Sequence, residues 1–289
     1  MNIRNFGGDN DDVSQIELER RGFRRRQTGK SLLISCVSLL IFATVIYVIF
    51  SHSEGWARVQ AAYFSPERFV EAIPKVGKGL LLNIKILCVS VVCVGVTATL
   101  LAVARTTRSA VLFPLRLLAT VYTNVFRGIP MIICLYLVGF GIPALGIFGR
   151  IPAEVLGCIA VSLIYSAYVA EVIRAGIEAV HPSQRMAARA LGFSHARTMR
   201  IIILPQAVRK IIPALMNDFV AMQKDVGLVS VLGGVDAVRS AQILNAVNFN
   251  YTPYVVAGVF FILMSFPFIL LIDRYAKRLQ NREQLQGAV

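Results

Sequence analysis

Charge is what this sequence has least of. Only 16% of its 289 residues are Asp, Glu, Lys or Arg, against 56% apolar. That is too little charge to coat a soluble fold of this size, so the chain is expected to sit in a membrane. Histidine is scarce too: His52, His181 and His195 make no metal-ligand spacing, which excludes a metal centre built on them. The five cysteines, Cys36, Cys88, Cys93, Cys134 and Cys158, all fall inside apolar runs, where a thiol acts as a small hydrophobe rather than half of a disulfide framework. Acidic residues number 16 against 30 basic ones. The resulting net charge of +14 would suit a nucleic-acid binder, but its placement follows the positive-inside bias of membrane proteins.

Several catalytic and binding signatures are missing as well. Thr28-Gly-Lys-Ser31 ends like a phosphate-binding loop, but the first glycine of that pattern falls on Arg24 and an apolar span follows. No nucleotide site is expected in this chain. No segment carries a histidine or carboxylate pair suited to catalysis. The longest outer loop, 51–79, is short and charged, which leaves no large external domain to hold a solute. A secondary transporter working without ATP is the main alternative from another class, yet no pair of interrupted helices in matching halves supports an inverted repeat.

What the chain does have is long apolar runs. Leu32–Phe50, Leu80–Ala104, Leu117–Phe140 and Tyr254–Ile272 each approach the roughly 20 residues a helix needs to cross hydrocarbon. Pro152–Val172 is a fifth. Ile211–Leu232 carries Asn217, Asp218, Gln223, Lys224 and Asp225, and a central Asp or Lys costs about 2.5–3.5 kcal/mol on insertion scales. The basic residues argue for it nonetheless. With six spans and the N-terminus inside, Arg105, Arg108 and Arg116, the arginines of 174–210 and the group Arg274, Lys277, Arg278 and Arg282 all fall on the cytoplasmic side. The predicted class is therefore an all-α polytopic bundle of six transmembrane helices with both termini cytoplasmic. Residues 1–30, with Asp9, Asp11, Asp12 and the basic run 20–26, read as a disordered tail whose basic half rests on anionic lipid. Residues 31–51 read as an uncleaved anchor rather than a signal peptide, with Trp56 as an interfacial anchor. Residues 279–289 read as a cytoplasmic tail.

Between the fourth and fifth spans lies a polar, arginine-studded hairpin. Ser183 is placed to cap a helix running to Leu191, Gly192 supplies the left-handed residue that ends it, and Ser194 caps the next. Leu204-Pro205 is expected to close that second helix. Arg185 and Arg189 are four apart, an unfavourable like-charge pair unless an anionic partner faces them. Ala187, Ala188 and Ala190 keep the first helix narrow enough for a partner's backbone to approach. A DNA-binding helix-turn-helix reads similarly, but spans flank this one on both sides; a loop resting on lipid headgroups is the plainer competitor.

These residues resemble the EAA loop of permease subunits of bacterial ABC importers, and more narrowly of the polar amino acid permeases. Gln184, Ala187, Ala188, Leu191, Gly192, Leu204 and Pro205 match the loop pattern. Further matching blocks are Phe126-Arg-Gly-Ile-Pro130, Tyr168-Val-Ala-Glu171 with Arg174-Ala-Gly-Ile177, and Lys224-Asp225 with Leu228-Val-Ser230, in the family's order. Two positions depart: the loop glutamate falls on Met186, and the glycine before Gln184 is Ser183. The resemblance implies a permease core over 79–278, a coupling loop over 178–208 and an added helix in front of a five-span core. It implies a cytoplasmic ABC ATPase dimer that binds ATP and Mg and hydrolyses the ATP, a second permease subunit, identical or related, and an external solute-binding protein. No cofactor is expected in this chain itself.

The intramembrane polar residues are the candidates for a solute path, being costly unless used. Asn124 and Arg127 are three apart on one helix face, as are Tyr168 and Glu171. Asn217, Lys224 and Asp225 lie on the polar fifth span. Pairing across helices is the competing role for each ion. Glu171 is expected to meet Arg127, Arg174 or the solute's amino group, and Lys85, near an outer end, is expected to snorkel.

Overall fold

The computed structural model describes residues 15–51, 53–107 and 109–287. Among them every regular element is helical. Two units are distinguished, 1–60 and 61–289. In the first, α1 (Gln15–Ser51) contains an apolar stretch, Gln27–Ser51, long enough to cross a membrane. The helix begins well before Ser31, so the basic run 20–26 is helical backbone rather than irregular tail. Glu, Leu, Gln and Arg dominate 15–27, and all are strong helix formers. The acidic residues Asp9, Asp11 and Asp12 lie outside the described residues. Trp56, at the start of α2 (Glu54–Tyr63), packs edge-on against Phe50, ring centroids 5.1 Å apart.

The second unit is built on α3 (Pro66–Thr106) and α6 (Ala153–Glu178), which run side by side in the same direction. Ser90 Oγ lies 3.2 Å from Cys158 Sγ, and Arg105 meets Glu171 toward the far end. Around this pair fold α4 (Phe113–Gly128), α5 (Met131–Ala144), α9 (Leu204–Asp225), a 3-10 segment (Val226–Leu232), α10 (Ala237–Asn248) and α11 (Thr252–Gly287). The expected C-terminal tail thus stays helical to Gly287. The main core gathers Ile86, Leu135, Val161, Ile164, Val226 and Val229, and a second joins Val76, Ala241 and Val256. Among the described residues four helices are long and apolar enough to span, or up to six if each of two bent pairs counts as one.

The expected straight span Leu117–Phe140 is one of those bent pairs, with α4 and α5 meeting at 110°. Gly128-Ile129-Pro130 is the cause. Proline removes a helical donor and crowds the preceding turn, and it pushes the residue before it out of helical conformation, here to φ −94°, ψ 127° at Ile129. Contacts show the reversal. Tyr122 Oη reaches Ser166 Oγ at 2.8 Å and the Leu163 carbonyl at 2.9 Å, and Tyr168 Oη donates to the Arg127 carbonyl at 3.2 Å. α4 therefore advances along α6. α5 returns, placing Cys134 against Ala160.

α10, inside what reads as an outer connection, is held by a buried polar node. Asn83 Nδ2 donates to the Val226 carbonyl (3.1 Å) and to Asp236 Oδ2 (3.0 Å), while Asn83 Oδ1 accepts from Ala237 N–H (3.0 Å). Asp236 Oδ1 caps α10 by accepting from Arg239 N–H at 2.8 Å. One turn before Asn83, a Cβ at Gly79 would lie 2.4 Å from the Asp236 carbonyl. Backbone cannot swing aside as a side chain can. Gly79→Ala is therefore expected to destabilise the unit by about 1–3 kcal/mol, whereas Gly95→Ala, on the same helix and facing open space, leaves stability unchanged or slightly raised. Thermal melts of the purified protein in detergent compare the two.

Candidate functional site

The hairpin is assembled by α7 (Pro182–Ala190), α8 (His195–Thr198) and a π turn (Met199–Ile203). Gly192 has φ +73°, the left-handed conformation that only glycine adopts without strain. Gly192 N–H bonds the Arg189 carbonyl (2.9 Å) and Phe193 N–H the Ala188 carbonyl (3.0 Å), closing α7 as expected. Ser194 Oγ caps α8 through Arg197 N–H. The N-cap of α7, however, is His181 and not Ser183. Pro182 occupies the first turn, which moves the cap two residues earlier, and His181 Nδ1 accepts from Ser183 N–H while its ring meets Ser183 Oγ at 2.7 Å.

Pro205 does not close the second helix. The chain continues from His195 to Leu232 as one rod. Pro205 lacks the N–H that an α-helix would need there, and the preceding turn widens so that Leu204 N–H bonds the Met199 carbonyl five residues back. The second arm of the hairpin, α8, thus runs directly into the polar span α9, and α7 joins it through the Gly192 turn. The hairpin's other flank is α6. A Cβ at Gly176 would fall 2.1 Å from Ile211 Cγ2, so only glycine allows α6 and α9 to approach so closely. Arg185 Nη2 donates to the Ile177 carbonyl (2.8 Å) and Lys210 Nζ to the Ala179 carbonyl (3.0 Å). Gln184, Met186 at 64% exposure, Ala187, Leu191, Gly192, Leu204 and Pro205 face outward, while Ala188 is buried.

Among the intramembrane candidates, Glu171 is held by three arginines. Arg105 Nη1 lies 2.7 Å from its carboxylate, Arg127 Nη1 lies 3.6 Å away, and Arg174, one turn on, forms a two-point pair while also reaching Glu178. The Glu171 side chain is 20% exposed. Arg105 is the member the sequence hid: at the end of an apolar run it counts as a loop charge. From this cluster a polar track crosses α6. Tyr168 bonds the Arg127 carbonyl, its ring lies 6.2 Å from that of Tyr165, and Tyr165 Oη donates to Asp225 Oδ2 at 2.9 Å. The structure so joins Arg127, Tyr168, Glu171 and Asp225. Asn124 and Lys224 are exposed beside the track, and Asn217 stands about 12 Å along α9 from Asp225. A mostly apolar groove of about 640 Å³ between α3, α4 and α6, with Lys85 and Glu154 in its lining, contains none of these candidates.

The architecture is a helical bundle of several spans with a polar hairpin continuous with one of them. The chain belongs to the family of binding-protein-dependent transport system inner membrane components, whose model matches residues 95–281. It is a multi-pass inner-membrane transport component. The arginine transport system permease protein ArtQ of Bacillus subtilis is 34% identical over 214 residues, 74% of this chain and 94% of that one. The putative glutamine transport system permease protein GlnP of Rickettsia felis is 36% identical over 217 residues, covering 74% and 95%. Among solved structures, an amino acid ABC transporter crystallised with histidines shares 35% identity and a TM-score of 0.68, covering 74% of this chain and 98% of its own. The MetNI methionine ABC transporter, at 17% identity and a TM-score of 0.56, shares the fold.

Proposed function

We propose that this chain is the transmembrane subunit of an ATP-driven importer of polar amino acids. The observation that carries the reading is the continuous rod from His195 to Leu232, which joins an exposed hairpin to the polar track at Asp225. The arginine, glutamine and amino acid transporters among its relatives support the substrate class. Gln184, Met186, Ala187, Ala188, Leu191, Gly192, Leu204 and Pro205 form the surface offered to a cytoplasmic ABC ATPase dimer, which holds ATP and Mg and does the hydrolysis. A second permease subunit completes the assembly, an extracytoplasmic binding protein delivers the solute, and both termini lie in the cytoplasm. Movement of the hairpin re-aims α9, and with it Asp225, Lys224 and Asn217, against Tyr165 and Tyr168.

The path is a track of both charge signs, as a zwitterionic solute requires. Tyr168 within it, Asn124 and Lys224 beside it and Asn217 farther along α9 are the exposed residues offered to a solute, with Asp225 half-buried against Tyr165. Glu171 is engaged with Arg105, Arg127 and Arg174, which supports a packing role for that carboxylate. The test is ATP turnover of the reconstituted permease and its cognate ATPase, with the binding protein loaded from an amino acid panel. Turnover stimulated by one solute class is the expected result; solute uptake with no ATPase present would replace the reading with an ATP-independent carrier.

A further inference from the structure

Between α7, α8 and the π turn lies a pocket of about 40 Å³, lined by Arg185, Arg189, His195, Thr198, Met199 and Ile203. A water needs only about 10–15 Å³ measured this way, so the space has room for a small polar head such as a carboxylate. Its polar lining is built to donate. Thr198 is 6% exposed and its Oγ1 has no hydrogen-bond partner, and neither does the buried Nε of Arg185. Arg185 Nη2 is already committed to the Ile177 carbonyl. Arg189 adds a second guanidinium four residues on. A buried polar atom left unpaired is costly, and a carboxylate, which only accepts, satisfies a ring of donors.

The counter-charge does not come from the hairpin. No Asp or Glu occurs between Glu178 and Asp218, a stretch that holds five arginines and a lysine. Position 186, where the resemblance expects a glutamate, is an exposed methionine. The acid at this contact must therefore come from the other side.

We propose that the pocket of Arg185, Arg189 and Thr198 receives an Asp or Glu side chain of the ATPase subunit, so that the charge across the coupling contact is supplied by the partner. This rests on the coupling reading above and adds to it the chemistry of the partner's residue. Two-point guanidinium contact fixes direction as well as proximity, and a seat against the π turn passes the partner's motion straight into α9.

The experiment uses the full-length permease in phosphatidylcholine and in phosphatidylglycerol nanodiscs, with the cognate ATPase titrated at several salt concentrations. Arg189→Gln is expected to weaken binding about tenfold and Arg189→Glu about a hundredfold, with a shallower salt dependence, in both lipids. Thr198→Val is expected to weaken binding less. Arg200→Gln, an exposed charge outside the pocket, is expected to bind as wild type, and Arg189→Lys, which keeps the charge but not the two-point contact, to fall between wild type and Arg189→Gln. Recovery of binding to Arg189→Glu by an acid-to-lysine exchange in the ATPase identifies the partner residue. Wild-type affinity in Arg189→Glu overturns the proposal. A loss confined to phosphatidylglycerol discs also overturns it, by giving the pocket to a lipid headgroup. Absence of any ATPase binding by the wild-type permease overturns the coupling reading itself and this proposal with it, and so is told apart from failure of the pocket alone.

Discussion

Glu171→Gln is expected to destabilise the protein by roughly 2–4 kcal/mol, somewhat under the cost of breaking a fully buried ion pair, because the cluster is half-buried. The amide keeps the shape of the carboxylate and removes the one negative charge shared by Arg105, Arg127 and Arg174. These guanidinium groups come from three helices, α3, α4 and α6, so their repulsion falls on the interface that orders the bundle. The expected result is a lowered thermal transition and poor assembly, with uptake lost as a consequence. Arg105→Gln removes the shortest inter-helix pair and should fall in the same direction with a smaller effect, because two arginines still face the acid. A Glu171→Gln protein of normal stability that lost only solute-stimulated turnover would reassign the carboxylate to the solute.

Gly192→Val is expected to abolish coupling without preventing insertion. At φ +73° a β-branched side chain meets its own backbone at a cost of about 1–2 kcal/mol, and nothing around the residue compensates, since the space beside it is open. The turn relaxes by changing its backbone, which re-aims α7 against α8 and alters the surface carrying Met186 and Leu191. Basal ATP turnover, expression and the thermal transition of the spans are expected to persist, and solute-driven turnover and uptake to disappear. Unchanged solute-driven turnover would remove the hairpin from the coupling route.

The parts of this molecule that were legible in its sequence are those set by periodicity and local chemistry. The apolar runs gave the helical class, and Gly192 and Ser194 marked a turn and a cap because each acts on its own neighbours. The Phe126–Pro130 block was visible as a pattern, but its effect, a 110° reversal of the chain, depends on where α4 and α5 find partners along α6. Pro205 misled for a related reason: proline forbids one hydrogen bond, and the chain met that demand with a wider turn instead of a break. Arg105 and Tyr165 were invisible because an ion or a phenol inside an apolar run does not name its partner, which lies 66 residues away for Arg105 and 60 for Tyr165. Asn83 and Asp236, 153 residues apart, have no local signal at all.

The π turn at Met199–Ile203 also fixes a phase. Five residues there do the work of about four in an α-helix, and each residue in a helix advances the azimuth by about 100°. The stripe that α9 buries against α6, through Ala207 and Ile211, is therefore offset by about that angle from where an unbroken α-helix would set it relative to Arg197 and Arg200. Deleting one residue from the turn would restore α-helical winding and swing the basic side of the hairpin around the rod while the packed stripe of α9 stayed where it is. A single-codon change at this point would rotate the hairpin's bearing toward whatever it docks with, and leave the membrane core unaltered.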